Sequence, residues 1–406
     1  MGLTMETKKE ITREFQPCYQ KASKKEKKTI LDNFTKLTGY HRKSAVRLLS
    51  VKPVKQVILY QKGKAIKIKP EKKRPSNRKG KRIYTDDIIA ALRLVWKFFW
   101  YKCGKILAPL MRQQMLYIAQ WPAFAITDGI AEKLKKISPA SIDRYLKKDK
   151  AELKLKAKSM TNPMKSLKSR IPIRTFYTSE ERKTPGFWQT DTVHHCGQTT
   201  SGEYLHTLTA TDIAFGWIEL RPTLNNAQRW TFEALSDIKN TTPLPVLEFH
   251  PDNGSEFINN YTEAWCKNNG ILFTRSRSNK KNDNCFVEQK NGAVVREYVG
   301  YDRLEGTEEL ALLAAIYKPL MPLLNFFMPT QKLKSKTRIG SKEIKVYDEP
   351  KSPFQRLMES SQTPQKTKDL LLQQISLYNP VKLQHNVNKA IIRLRQRIAQ
   401  SNRIIT

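Results

Sequence analysis

The chain has 406 residues, room for two to four domains, and carries 74 Lys and Arg against 37 Asp and Glu, a formal net charge of +37. Such an excess points to a polyanionic partner, because each neutralised phosphate releases condensed counterions. The absence of an apolar run of about 18 residues or a secretory leader argues against a membrane protein, and five scattered cysteines without a Cys-x-x-Cys pair argue against a disulfide scaffold or zinc ribbon and fit a reducing cytosol.

The first segment, 1–60, reads as helical. Ser23-Lys-Lys-Glu26 has capping-box form, Ile30, Leu31, Phe34 and Leu37 recur at helical spacing, and Gly39 stands where a C-cap turn belongs. Tyr40–Leu49 resumes the pattern, with Ala45, Val46, Leu48 and Leu49 inward and Arg42, Lys43 and Arg47 outward. A helix, a short Gly turn and a basic second helix make a helix-turn-helix candidate; an ordinary helical hairpin with a solvated basic face is the alternative. The stretch 61–82 follows, and within it residues 62–82 hold eleven Lys or Arg and one Glu, with Pro70, Pro75, Gly63 and Gly80. It cannot bury a core and reads as a basic linker, either a phosphate-tracking arm or a plain spacer.

Residues 83–158 form a second helical segment. Thr85-Asp-Asp87 opens a helix with Ile88, Leu92, Val95 and Phe99 as its buried stripe, and Trp96, Trp100 and Tyr101 suit packing. Ser138-Pro139 is an N-cap followed by Pro at the first helical position of Ala140–Lys148. Ile142, Tyr145 and Leu146 pack there, leaving Ser141, Asp143, Arg144 and Lys147 to face a major groove in a second helix-turn-helix. The stretch 159–180, with Lys165, Lys168, Arg170 and Arg174, reads as another basic linker.

From 181 to 305 the alternation predicts strands at 186–193, 203–212 and 214–221, a helix over 225–240, a strand at 245–250, a helix over 259–269 and a strand at 271–275. Last comes a helix carrying Glu288. This is the element order of a ribonuclease-H-like fold. Asp191 sits in the first strand, Asp252 follows the fourth, and Glu288 lies in Asn282-Asp-Asn-Cys-Phe-Val-Glu-Gln-Lys-Asn291, separated from Asp252 by the 35 residues 253–287. Two strand-borne Asp and a helix-borne Glu offer the oxygen donors that hard divalent cations prefer. Asn253-Gly254 suits a turn tolerant of positive φ. Glu256 reads as a structural partner, Asp212 as a lesser rival for a metal position, and Asp283 as a cap. Asn284, Glu288 and Asn291 share a helical face, while Lys281 and Lys290 are either phosphate contacts or ordinary surface lysines. His194, His195 and Cys196 are adjacent, so a shared metal site is not expected of them.

Asp252-Asn-Gly-Ser-Glu-Phe257, the Asn282–Asn291 phrase and the 35-residue gap resemble the signatures of the retroviral-integrase-like (DD35E) transposases of bacterial insertion sequences. The resemblance spans roughly residues 183–305; the zinc module of retroviral integrases has no counterpart in spacing. It implies an integrase catalytic core in which Asp191, Asp252 and Glu288 are catalytic and hold two Mg²⁺ or Mn²⁺ ions. It implies hydrolysis at the 3′ end of a mobile element and strand transfer into target DNA, with double-stranded DNA (element terminal repeats and target) as partner. A homo-oligomer on DNA and a bacterial cytoplasmic, nucleoid-associated location go with it. In that context Arg42, Lys43, Arg47, Ser141, Arg144, Lys147, Lys281 and Lys290 become candidate DNA contacts. A catalytically silent, transposase-derived DNA-binding protein is the alternative.

Residues 306–406 read as a basic C-terminal region. A helical extension over 306–330 ends at Pro319, Pro322 and Pro329, 331–347 forms a small β element, and helices span 364–377 and 380–400. Val346-Tyr-Asp348 and Pro353-Phe-Gln-Arg-Leu357 also resemble the family. Ile391, Ile392, Leu394 and Ile398 form a stripe that either packs within the chain or dimerises. The expected fold class is thus multidomain α and α/β: helix-turn-helix modules, a ribonuclease-H-like core of mixed sheet with helices, and a small basic C-terminal region.

Overall fold

Ser23 closes the capping box that the sequence predicts: its hydroxyl accepts from Glu26 N–H, and the Glu26 carboxylate accepts from Ser23 N–H at 2.8 Å. In the computed structural model, which describes residues 3–50, 57–61, 64–68, 83–152, 171–174, 177–252, 254, 256–277, 281–339 and 342–404, this cap starts the second of three helices. Helices α1 (Met5–Lys21), α2 (Lys24–Thr38) and α3 (Arg42–Leu49) bury Tyr19, Leu31, Phe34, Ala45 and Leu49 among themselves. Gly39 ends α2 at φ 68°, as its position predicts. Two inward assignments fail: Leu37 is 54% and Val46 38% exposed, because a unit this small has one core and the flanks of its apolar stripes face water. Strands β1 (Val57–Gln61) and β2 (Lys64–Ile68) pair antiparallel, a hairpin reaching into the segment expected to be linker; the rest of 61–82 lies outside the described residues. These elements fall in a unit ending at Lys81, and Arg82–Thr406 make a second.

The second unit begins with α4 (Asp86–Phe98), whose Ile88, Leu92, Val95 and Phe99 are all buried as the periodicity demands. Then come α5 (Gly104–Ala119), α6 (Asp128–Lys136), α7 (Pro139–Tyr145) and α8 (Lys147–Glu152). Ser138 caps α7 and Ile142 and Leu146 are buried, but the expected continuous helix breaks at Leu146. Most of the linker 159–180 lies outside the described residues. Its end is pinned where Arg174 N–H donates to Arg275 O at 3.0 Å.

Five strands form the central sheet: β3 (Phe187–His194), β4 (His206–Asp212), β5 (Ile218–Thr223), β6 (Glu248–Pro251) and β7 (Leu272–Phe273), in the order β5-β4-β3-β6-β7. The first three are antiparallel neighbours, and β6 and β7 run parallel to β3. This is a ribonuclease-H-like α/β core. Central β4 is buried along its whole length, whereas Pro222, which cannot donate to a ladder, sits on edge strand β5. Helices α9 (Gln228–Thr241) and α10 (Asn260–Asn268) fill the crossovers, α11 (Cys285–Lys290) follows the last strand, and a π-helical turn continues α11 through Asn291–Arg296.

Helix α12 (Gly306–Pro322) runs past Pro319 and into a second π-helical turn over Leu323–Phe327, within the 306–330 expected of it and ending just before Pro329. Residues Gly306–Phe327 are long and apolar enough to cross a membrane by length and composition, a feature missed in the sequence. Here the helix packs against β5, and Asn325 closes the sheet edge by bonding both N–H and C=O of Ile218 at 2.9 Å. Strands β8 (Leu333–Ile339) and β9 (Lys342–Tyr347) make the expected β element, followed by α13 (Pro353–Glu359), α14 (Gln365–Ser376) and α15 (Pro380–Ile404). Helix α15 packs along α12 through Ile391 and Leu394, while Ile392 is exposed.

Candidate active site

Strand register brings the two aspartates together. The parallel ladder of β3 and β6 ends with Thr190 opposite Pro251, so the next residues, Asp191 within β3 and Asp252 just past the end of β6, come side by side. The third carboxylate arrives through Gln189, which is buried in β3 on the same face as Asp191. Its Nε2 donates to Asp283 O at 3.0 Å, and its Oε1 accepts from Phe286 N at 2.9 Å and Val287 N at 3.3 Å. One strand side chain thereby satisfies orphan N–H groups at the start of α11 and fixes the helix that carries Glu288. Asn284 Nδ2 adds a bond to Thr190 O at 3.0 Å. Gln189 was not singled out from sequence, although its place two residues before Asp191, on the same face of the strand, was the available signal.

Crowded negative charge marks the place. Burial and the charge of Asp252, with further push from Glu288 and Glu256, raise the Asp191 carboxyl well above the usual carboxylate range. Thr192 N–H donates to Asp191 Oδ1 at 2.8 Å and Asn291 Nδ2 to its Oδ2 at 2.6 Å, both favouring the charged form without cancelling that push. Burial, then Asp252, push Glu256 up to about 7. Glu256 lies so close to Gly254 that a Cβ there would meet its carboxylate at 2.4 Å. Gly254 does not have positive φ, and the atoms a Cβ would meet belong to the movable end of Glu256; Asn253 lies outside the described residues. Among the described residues no three His, Cys, Asp or Glu side chains stand close enough to hold a metal ion as arranged. The all-oxygen donor set and the mutual repulsion around Asp191 suit a hard divalent cation, and Glu288 is exposed on α11.

Asp212 is not a member of this cluster. Its two oxygens accept from Gly186 N at 2.9 Å and Phe215 N at 2.8 Å, closing the β4–β5 turn, and burial pushes it up to about 6. Asp283 does not cap α11 either. It makes a fork with Arg277, at 2.8 and 2.9 Å, that ties the approach to the helix. His195 is buried with Nε2 2.8 Å from Thr207 Oγ1, and Cys196 Sγ is directed at Gly197 O.

Of the candidate DNA contacts, Arg42, Lys43 and Arg47 are exposed on α3, with Arg42 paired to Asp32. Arg144 and Lys147 are exposed around α7, and Ser141 is half-buried, accepting from Arg144 at 3.1 Å. Asp143 does not face outward for base reading: it accepts from Gly104 N at 2.9 Å and pairs with Lys150 at 2.5 Å, tying α7 to α5. The Lys281 side chain lies outside the described residues. Lys290 is half-buried beyond Glu288, where burial and the like charges of Lys332, Arg356 and Lys102 depress its pKa to about 8.

Residues 181–281 match the integrase core domain family, a span that contains Asp191 and Asp252 and stops short of Glu288. The uncharacterized protein y4rM of Sinorhizobium fredii is 31% identical over 354 residues, 87% of this chain and 96% of its own length. The chain therefore contains an integrase core domain over residues 181–281, and it belongs to the same family as y4rM. A putative integrase, ORF3 of Spiroplasma virus SpV1-C74, is 28% identical over 199 residues, 45% of this chain and 51% of that protein. Among solved structures, the catalytic core domain of HTLV-2 integrase, a dimeric form in complex with magnesium, is 18% identical with a TM-score of 0.26, covering 36% of this chain and 91% of that one. The core domain of BIV integrase is 20% identical with a TM-score of 0.27, covering 42% and 91%.

Proposed function

We propose that the protein is a DNA transposase that binds the ends of a mobile element and catalyses 3′-end hydrolysis and strand transfer into target DNA. The observation that carries this reading is the placement of Asp191 beside Asp252 by the β3–β6 ladder, with Glu288 tied to the same strand through Gln189. The integrase core match over that region supports it. Asp191, Asp252 and Glu288 are the residues that would hold two Mg²⁺ or Mn²⁺ ions, which when bound supply an activated oxygen nucleophile and neutralise charge on the phosphodiester. Gln189 and Asn291 orient two of these carboxylates. The exposed cations of α3 and α7 grip the duplex in this reading, and a homo-oligomer in the bacterial cytoplasm brings two ends together. Sedimentation with end DNA is expected to give a multimer; monomers alone would count against that assembly.

A second reading, a silent DNA-binding derivative, draws on one observation: the described carboxylates do not stand closed around a cation position. A joining assay separates the two. Purified protein, Mg²⁺ or Mn²⁺, labelled duplexes from the repeats flanking its gene and a plasmid target should yield cleaved ends and joined products. Tight, specific end binding without metal-dependent cleavage would favour the binding protein.

A further inference from the structure

Where the β-hairpin β8–β9 joins the core, cations from three parts of the chain converge on the β4–β5 turn. Lys332 Nζ donates to Ile213 O at 2.9 Å and also to Ala214 O, so a full charge is spent on neutral carbonyls. Lys290 comes in from α11, and its Nζ would lie 3.9 Å from a Cβ on Gly216 in the same turn. Arg356 reaches in from α13 and donates to Asp348 and to Thr330 O. The local carboxylates are engaged. Asp348 takes Arg356 and the Lys332 N–H, and Asp212 accepts two backbone N–H groups. Lys290 has no hydrogen-bond or ion-pair partner among the described residues. A half-buried cation without a counterion, beside two others, is unfavourable unless an anion completes the group.

We propose that Lys290 and Lys332, backed by Arg356, form a pocket for a backbone phosphate of DNA at the β4–β5 turn. The proposal rests on the transposase reading for the identity of the ligand. Lys290 follows Glu288 by two residues, about 3 Å along the helix axis and about 200° around it, so a strand held there passes α11 on the side away from the Glu288 side chain. Point-charge ammonium groups suit a phosphate that must be gripped without regard to base sequence. The pocket also gives the Asp348–Arg356 pair a purpose: it anchors both ends of the hairpin, since Thr330 and Lys351 bridge beside it, and so holds Lys332 on the turn.

The test uses the full chain in EDTA, so that cleavage plays no part. Duplex binding is measured against salt for wild type, Lys290→Gln and Lys290→Arg, and melting is followed in inorganic phosphate against chloride at equal ionic strength. Lys290→Gln is expected to lower the slope of log affinity against log salt by about 0.9, and to weaken binding about tenfold. It should lose part of the melting shift that phosphate gives the wild type, and Lys290→Arg should restore both. Wild-type slope and wild-type phosphate shift in Lys290→Gln would overturn the pocket. A wild type that binds no duplex, yet loses its phosphate shift in Lys290→Gln, would overturn the DNA reading and leave the anion pocket standing.

Discussion

The three-helix unit of residues 3–50 and the sheet around Asp191 treat charge in opposite ways. In the first, Arg42, Lys43 and Arg47 lie at the surface, where water screens them, and the buried residues are apolar apart from Thr38, whose hydroxyl donates to Phe34 O, and the Tyr19 hydroxyl. In the second, Asp191, Asp252, Glu256 and Glu288 push on one another beside a buried strand. The first arrangement costs the fold almost nothing; the second costs stability, which is the pattern the proposed active site requires.

The largest effect should come from the crowded side. Asp191→Asn, Asp252→Asn or Glu288→Gln should each lower end cleavage and joining by about a thousandfold or more while leaving end binding within a few-fold, read by product yield and gel shift on the same preparations. Gln189→Leu leaves Asp283 O and two N–H groups of α11 without their partner, at about 1–3 kcal/mol for each group that stays buried. Denaturant melts should show that loss, and activity should fall further than stability accounts for because Glu288 is no longer fixed. Activity equal to wild type in Gln189→Leu would show that the clamp is not what positions the helix.

Smaller effects sharpen the contrast. The Glu256 carboxyl is pushed up from 4.5 to about 7, so its contribution to stability is present below 4.5 and is lost as pH rises through 7. Metal-free Glu256→Gln should therefore be more stable than wild type by about 3 kcal/mol at pH 8, a gap that narrows to about 1 kcal/mol by pH 5 and closes below 4.5. A gap constant across that range would mean the shift is not electrostatic. On the screened side, Arg47→Ala should change melting by no more than about 0.5 kcal/mol and weaken end binding by about threefold, with a shallower salt dependence. Loss of binding beyond a hundredfold would show that α3 reads bases rather than grips phosphates.

Much of this was legible in the sequence because it follows from local rules. Periodicity gave the buried stripe of α4, and cap chemistry gave Ser23, Gly39 and Ser138. The order of the core elements placed β3, β6 and α11, and with them the acids. What escaped depends on contacts between distant segments. Gln189 looks like any polar residue in a strand until α11 docks on it, and Asp283 looks like a cap until Arg277 folds back over it. Asp143 sits on a face that helical spacing leaves open, yet α5 presents Gly104 N–H to it. Val46 and Leu37 failed for the opposite reason: their periodicity is sound, but the small unit has no second surface to cover them. Asp348 and Arg356 were legible as a phrase, and their physical content, a tie across the base of the hairpin, came only with the fold.

Binding of Mn²⁺ to the full chain with end duplex present, followed by calorimetry, tests most directly whether the carboxylates work as one site. Saturable binding that Asp191→Asn and Asp252→Asn abolish, and that Glu288→Gln weakens, is the expected result. Equal binding by wild type and all three variants, or no binding by any, would contradict it.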